Sequence, residues 1–358
     1  MVFLSLQTLK PSILLPCWPN NQLMNASVVH FIDRLPKTET HLHIEGALPW
    51  PLLKQINPVK FSGTPSFRKP NFRYDSFEQF ETILIDHALG FFSSPESYFD
   101  AARAIFENHL KQNVKYVETS FHAGMIEYLK IPGEEILKAI VAAIPAGLEV
   151  RVFLGISRNL YTENLAPQLE QAITSWPDLA GIDLHGLETL PMESWTAPFW
   201  RRAKDCGKMV KAHAGEFGPA ENVLHAIEEL GVQRIQHGTK SIESREVMRV
   251  VKDHEVTFDM CPISNFKLRV IEDWEDHPLP LFLQENIACT VSTDDPLSFN
   301  NSLSEEYQVC HEKLGLGLPE LAQLARNGFM NANLSRELKD FWVHEIENVL
   351  KEFTKDSW

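Results

Sequence analysis

The chain has 358 residues, 44% of them hydrophobic and 23% charged, and a formal net charge of −15. This is the composition of a globular protein with a large core, and its negative charge argues against nucleic acid or an anionic membrane as partner, since either would repel it. No apolar run reaches the roughly 18 residues that a membrane span needs, and the five cysteines (17, 206, 261, 289 and 310) form no C-x-x-C pair, so a disulfide framework and a thiolate metal site are not expected and a cytoplasmic location is.

Residues 1–30 are apolar in patches (VFLSL, SILLPCW) but lack the basic segment and small-residue cleavage site of a signal peptide. They read as a poorly ordered extension ahead of a single domain over 31–358. From there short strands are expected at 37–44, 115–122, 149–157, 179–186, 208–215, 234–239, 256–264 and 288–295. Most are near-continuous apolar runs, the pattern of parallel strands buried on both faces. The excursion between the first two strands is rich in Phe (61, 67, 72, 77, 80, 91 and 92), and should form extra helices over one end of the sheet. Helices are expected between later strands, among them 219–232, with a proline at its start and Gly231 near its end, and 244–254. Eight β-then-α units predict an α/β fold, a closed (β/α)8 TIM barrel.

Chemistry gathers at the strand ends. His41, His43, His185, His213, His237 and Asp294 each fall at or just before the C-terminal end of an expected strand, and in a barrel those ends converge on one mouth. Alternation along a strand sends His41 and His43 to the same face. Imidazoles and a carboxylate are the ligand types of a catalytic zinc ion. Glu216, three residues after His213, and a further histidine could move protons. Taken singly, each motif has a plainer reading: a His-x-His pair is usually ordinary, and the aspartates of TDDP would usually mark a turn. Their joint placement favours a metal-dependent hydrolase. His122 and His185 are candidates for pocket lining or for the core. Cys261 reads as a structural thiol, and the acidic run 271–277 as a solvated loop.

The segments HLHIEGAL, GIDLHGLE, KAHAGE, QHGT, CPISN and STDDPLSF follow one another as in adenosine deaminases and adenosine-deaminase-like proteins. The chain resembles this family of the amidohydrolase superfamily over residues 31–350. The resemblance implies one Zn2+ per chain held by His41, His43, His213 and Asp294. It implies Glu216 as the acid that protonates purine N1, and His237 as the group that accepts the proton of the attacking water. Asp295 would bond ring N7, the Gly186 N–H would face N3, and Glu45 would lie near the 5′ end of a sugar. The chemistry agrees, because zinc acidifies water to a pKa of about 7 and a buried glutamic acid can hold its proton at neutral pH. The H-x-E…P-C-x-x-C signature of cytidine-type deaminases is absent.

The expected activity is hydrolytic deamination of a 6-aminopurine nucleoside, adenosine or a 5′-modified relative, with free adenine as the alternative. The stretch LSFNNSLSEEY (297–307) and the Phe-rich excursion favour the nucleoside. Glu45, where many family members carry Asp, argues the other way, and Leu187 stands where an acidic residue is common. The partner is then a small aminopurine, and no pattern specifies an oligomeric state. A binuclear amidohydrolase would need a carboxylated lysine on the fourth strand, which has none. A non-catalytic purine-binding relative would be expected to have lost a ligand or the acid. Elemental analysis of the purified protein is expected to return one divalent metal per chain; two per chain would favour the binuclear rival.

Overall fold

Strands and helices alternate through a computed structural model that describes residues 21–355. The strands are β1 (Lys37–His43), β2 (Val114–His122), β3 (Glu149–Ser157), β4 (Leu179–His185), β5 (Met209–Ala214), β6 (Arg234–His237), β7 (Thr257–Met260) and β8 (Ala288–Val291). They form one eight-stranded sheet in chain order, parallel throughout. A parallel bridge from Leu42 to Asp294 joins the first strand to the segment after the last. The architecture is the expected (β/α)8 barrel. Among the described residues no helix is long and apolar enough to cross a membrane.

The departures from expectation are local. The seventh strand ends at Met260 instead of residue 264, because Pro262 opens the helix Pro262–Lys267. Helix α1 (Asn21–Arg34) runs through the expected boundary at residue 30, since Phe31 and Ile32 are buried in the core. The Arg34 guanidinium forks onto Glu352 at 3.0 and 3.2 Å. Residues 1–20, most of the expected extension, lie outside the described residues. The run 271–277 is exposed only in its middle, with Ile271 and His277 buried.

The long excursion holds α2 (Trp50–Ile56), α3 (Phe77–Ala88) and α4 (Pro95–Lys111). Ser76 caps α3 by accepting the Gln79 N–H, and Ser94 and Ser97 form a capping box on α4. The phenylalanines divide between two clusters. Phe61, Phe91 and Phe92 enter the main core. Phe67 and Phe80 pack with Tyr74, Leu268, Val270 and Phe299 in a second one, where the Phe80 and Phe299 rings stack at 5.4 Å. That cluster pins α3 against the loops that follow β7 and β8, over the mouth of the barrel.

Below the mouth the barrel interior is ionic. Arg234 donates to both oxygens of Asp259 at 2.7 Å, and Thr40 and Thr290 add hydroxyls at 3.0 and 2.7 Å. Lys211 pairs with Glu118 and donates to the Thr40 carbonyl at 2.7 Å. Tyr116 donates to Glu118 at 2.7 Å. Barrel interiors are more often filled by branched aliphatic side chains. A buried charge left without its partner is costly, so Asp259→Ala is expected to lower the unfolding free energy by about 3–5 kcal/mol in urea titrations. A loss below about 1 kcal/mol, the scale of an exposed pair, would show that the layer is solvated.

Candidate active site

The mouth is built by backbone before side chains. His41 accepts the Asp294 N–H on its carbonyl at 3.1 Å, and the His43 N–H donates to the Asp294 carbonyl at 3.2 Å. The same three residues project side chains into the barrel. His41 Nε2 lies 3.1 Å from His213 Nε2 and 3.3 Å from Asp294 Oδ1. His43 Nε2 lies 3.3 Å from His213 Nε2 and 3.4 Å from Asp294 Oδ1. Behind each ring stands a polar group facing Nδ1: the Asp259 carbonyl at 3.4 Å for His41, Ser120 Oγ at 3.0 Å for His43, and the Leu184 carbonyl at 3.1 Å for His213. Carbonyls only accept, so His213 carries its proton on Nδ1 and turns a bare Nε2 lone pair toward His41, whose own Nδ1 faces the Asp259 carbonyl and, at 3.3 Å, the Cys261 thiol. The 3.1 Å approach of the two Nε2 atoms is the spacing of two ligands that share a cation.

The spacing fits such a cation. Ligands about 2.0–2.1 Å from a tetrahedral zinc ion are about 3.3 Å apart, and the four contacts above span 3.1–3.4 Å. His41, His213, His237 and Asp294 form one compact group of possible ligands, and His43, Asp294 and Asp295 an overlapping one. His43 and His237 therefore compete for one place. His237 Nε2 stands farther from Asp294, 3.9 Å from Oδ2, and 3.5 Å from Glu216 Oε1. Both His237 and Asp294 have left-handed backbones, φ +68° and +63°, which residues other than glycine seldom adopt away from functional turns.

Two carboxyl groups face the cavity without protein partners. Glu216 Oε1 and Asp295 Oδ1 are buried and lack a hydrogen bond among the described residues. Burial and the charges of Asp294, Glu188 and Asp295 push the Glu216 carboxyl well above its usual range. Burial and Asp294 do the same to Asp295. In both, burial disfavours the charged form. Asp295 fits only because residue 46 is glycine: a Cβ there would stand 1.5 Å from Asp295 Oδ1. Gly186 (φ +81°), just after β4, also lines the cavity.

The cavity measures about 350 Å³. Its polar end holds the residues above, and the rest is largely apolar, with Phe80, Leu84 and Ala88 of α3 facing Met125 and Tyr128. His122 and His185 both line it. The His122 ring accepts the Gly124 N–H at 3.1 Å and donates to Ser157 at 2.9 Å, and His185 stacks on His43 at 5.3 Å. Glu45 is also there, but its carboxylate is engaged. It accepts the Tyr98 hydroxyl at 2.7 Å and, bifurcated, the His122 backbone N–H at 3.2 and 3.3 Å. The SLSEEY stretch does not line the cavity. Glu306 accepts the Ile263 N–H at 3.1 Å and Asn301 Nδ2 at 2.6 Å, bracing the CPISN turn from behind. In that turn Ser264 donates to Asp294 Oδ2 at 2.7 Å, and burial pushes the Cys261 thiol up, away from any nucleophilic role.

The model of the family described as adenosine deaminase matches residues 36–349. The chain belongs to the adenosine deaminase family. It is therefore a hydrolase of C–N bonds in cyclic amidines. It is 28% identical over 337 residues to an adenine deaminase of Zymomonas mobilis, covering 91% of this chain and 99% of that one. It is 29% identical over 315 residues to an adenine deaminase of Sphingopyxis alaskensis, covering 85% and 92%. An Arthrobacter aurescens adenine deaminase structure superposes with a TM-score of 0.80 at 25% identity, covering 88% of this chain and 99% of that one. The fold is shared with a zinc-bound amidohydrolase from Burkholderia ambifaria, TM-score 0.78 at 20% identity, covering 97% of each chain.

One residue of this deaminase site escaped the reading of its motifs. Glu188, beside Leu187, is buried and accepts the backbone N–H groups of Gly215, Glu216, Phe217 and Gly218 at 2.6–2.8 Å, and Asn222 Nδ2 at 3.0 Å. A single carboxylate thus shapes the loop that carries Glu216. Glu188→Gln would turn an amide N–H against at least one of these donors. It is expected to lower kcat/KM on the order of 10²-fold by misplacing Glu216 while leaving the metal content unchanged. Normal kinetics in this variant would show that the loop holds itself.

Proposed function

We propose that the enzyme hydrolyses free adenine to hypoxanthine and ammonia. The observation that carries this choice is the engagement of Glu45. The group best placed to meet a sugar already spends its carboxylate on Tyr98 and on the His122 backbone. The rest of the cavity offers mostly apolar surface beyond the polar end. The similarity to adenine deaminases along nearly the whole chain supports the same reading. The argument for a nucleoside from SLSEEY falls away, since that segment serves the CPISN turn.

In this reading His41, His43, His213 and Asp294 would hold one zinc ion, which would make water nucleophilic near neutral pH. His43 is preferred to His237 as the fourth ligand on distance, 3.4 against 3.9 Å to Asp294. Glu216 gives its proton to N1 as oxygen adds to C6. The carboxylate left behind takes up both protons of the water in turn, passing one to the departing amino group and keeping the other, so Glu216 ends protonated as it began, one water is consumed and one ammonia released. Asp295, protonated, donates to N7, which can only accept. The Gly186 N–H meets N3. His237 borders the space where the oxygen enters, and α3 keeps bulk water out. The cysteines described, Cys206, Cys261, Cys289 and Cys310, are all free thiols, which supports a cytoplasmic location.

The nucleoside reading stands second. A cavity of about 350 Å³ continues under α3 past the polar end, and the fold is shared with Arabidopsis structures bound to IMP and GMP. Absorbance assays with adenine, adenosine and AMP separate the two. Adenine is expected to exceed both others in kcat/KM by more than about tenfold, the loss expected when a buried polar contact goes unmade; the reverse order would select the nucleoside. Glu216→Gln is expected to keep fold and metal and to lose a factor on the order of 10² to 10⁴ in kcat. Near-normal turnover would remove Glu216 from the proton path.

A further inference from the structure

Behind His237 a line of hydrogen bonds runs from the backbone to the cavity. The Leu279 N–H points at His277 Nδ1 at 3.2 Å. His277 Nε2 faces Asn265 Oδ1 at 3.3 Å, and Asn265 Nδ2 faces His237 Nδ1 at 3.1 Å. At the far end, His237 Nε2 faces Glu216 Oε1 at 3.5 Å. His277, Asn265 and His237 are all buried.

The direction of every bond follows from the first. A backbone N–H can only donate, so His277 Nδ1 accepts. Burial holds the His277 ring neutral, with its pKa pushed down to about 3, so its one proton is on Nε2. Asn265 must then present its oxygen to His277 and its NH2 to His237. His237 Nδ1 accepts in turn, and its remaining proton is on Nε2, aimed into the cavity. The orientation of the amide follows from its neighbours and needs no separate assignment.

We propose that His277 is a positioning residue for the deamination reaction, acting through Asn265 to fix His237 as a hydrogen-bond donor toward the reacting oxygen. This rests on the aminopurine reading of the site. It replaces the expectation that His237 accepts the proton of water, because an Nε2 that already bears hydrogen has no lone pair to receive one. The same hydrogen keeps His237 out of the metal's ligand set, which its 3.9 Å separation from Asp294 Oδ2 also suggests. A donor fixed at this point stabilises negative charge as it develops on the oxygen during attack at C6, as preorganised N–H groups do in other hydrolases.

Two near-isosteric variants test the polarity. Asn265→Asp sets a carboxylate against both rings, so His237 must carry a proton on Nδ1, and the neutral ring then turns a lone pair into the cavity. It is expected to lower kcat by about 10²-fold or more with little change in KM, the loss typical of one such donor. His277→Gln keeps a side-chain N–H for Asn265 Oδ1 and is expected to stay within a few-fold of wild type, whereas His277→Leu should lose the tautomer and much of kcat. The ring tautomer is read directly from side-chain ¹⁵N chemical shifts of histidine-labelled, zinc-loaded enzyme, with His237 assigned by its disappearance in His237→Gln. Protonated Nε2 and bare Nδ1 are expected in wild type and in His277→Gln, and the reverse in Asn265→Asp. Protonated Nδ1 in wild type, or full turnover in a folded Asn265→Asp with inverted tautomer, overturns the proposal. The spectra need no substrate. An Nε2–H tautomer in an enzyme that turns over no aminopurine would therefore sink the functional reading and leave the hydrogen-bond line standing.

Discussion

The seam between β1 and the segment after β8 is the constraint on which the rest of the molecule depends. Its backbone bonds join His41 and His43 to Asp294, and the side chains of those residues face one another in the mouth. Barrel closure thus also brings together the side chains proposed to hold the metal. A slip of one residue along β1 would turn both histidines out of the barrel, because side chains alternate faces. Several contacts guard against it. Glu39 accepts the Thr293 N–H and hydroxyl at 3.2 and 2.7 Å. Thr40 donates its N–H to Ser292 at 3.0 Å. The Gly46 carbonyl accepts the Leu297 N–H at 2.7 Å. The strain of a left-handed Asp294 is borne by this surrounding register.

Buried carboxylates sort by partner into structure and chemistry. Glu39, Glu188 and Glu306 each accept backbone N–H groups and so hold loops: the turn before Asp294, the turn through Glu216, and the start of CPISN. Glu118 and Asp259 are paired with Lys211 and Arg234 below the mouth. Glu216 and Asp295 have oxygens with neither kind of partner, and they face the cavity. A desolvated acid surrounded by other carboxylates favours its protonated form, which is what the proposed donation to a purine ring nitrogen requires. The same low-dielectric setting that makes these protons available would make the loss of any structural partner costly.

The helical excursion completes the site by exclusion rather than by contact chemistry. The stacked Phe80 and Phe299 rings and the packing of Tyr74 hold α3 across the mouth. Phe80, Leu84 and Ala88 of that helix line the cavity together with the proposed metal ligands His43, His213 and Asp294. The polar groups that line the cavity come largely from the strand ends.

Much of this was legible in the linear chain. Apolar runs bounded by turn residues located all eight strands, and motif residues at their ends marked the mouth, because strand periodicity and ligand chemistry are local properties. Boundaries drifted where a loop outcompeted a strand, as at Pro262. Glu188 lay inside the GIDLHGLE segment, yet its role is visible only once Gly215–Gly218 fold around it. Glu45 could be named as a pocket residue, but its engagement depends on Tyr98, from α4, more than 50 residues away. His277 sat in what read as a solvated acidic loop. The sequence by itself determined the barrel, the family and the residue types that meet at its mouth. Only the tertiary structure decided which carboxyl oxygens lack partners and which groups flank His237, because hydrogen-bond partners are distant along the chain.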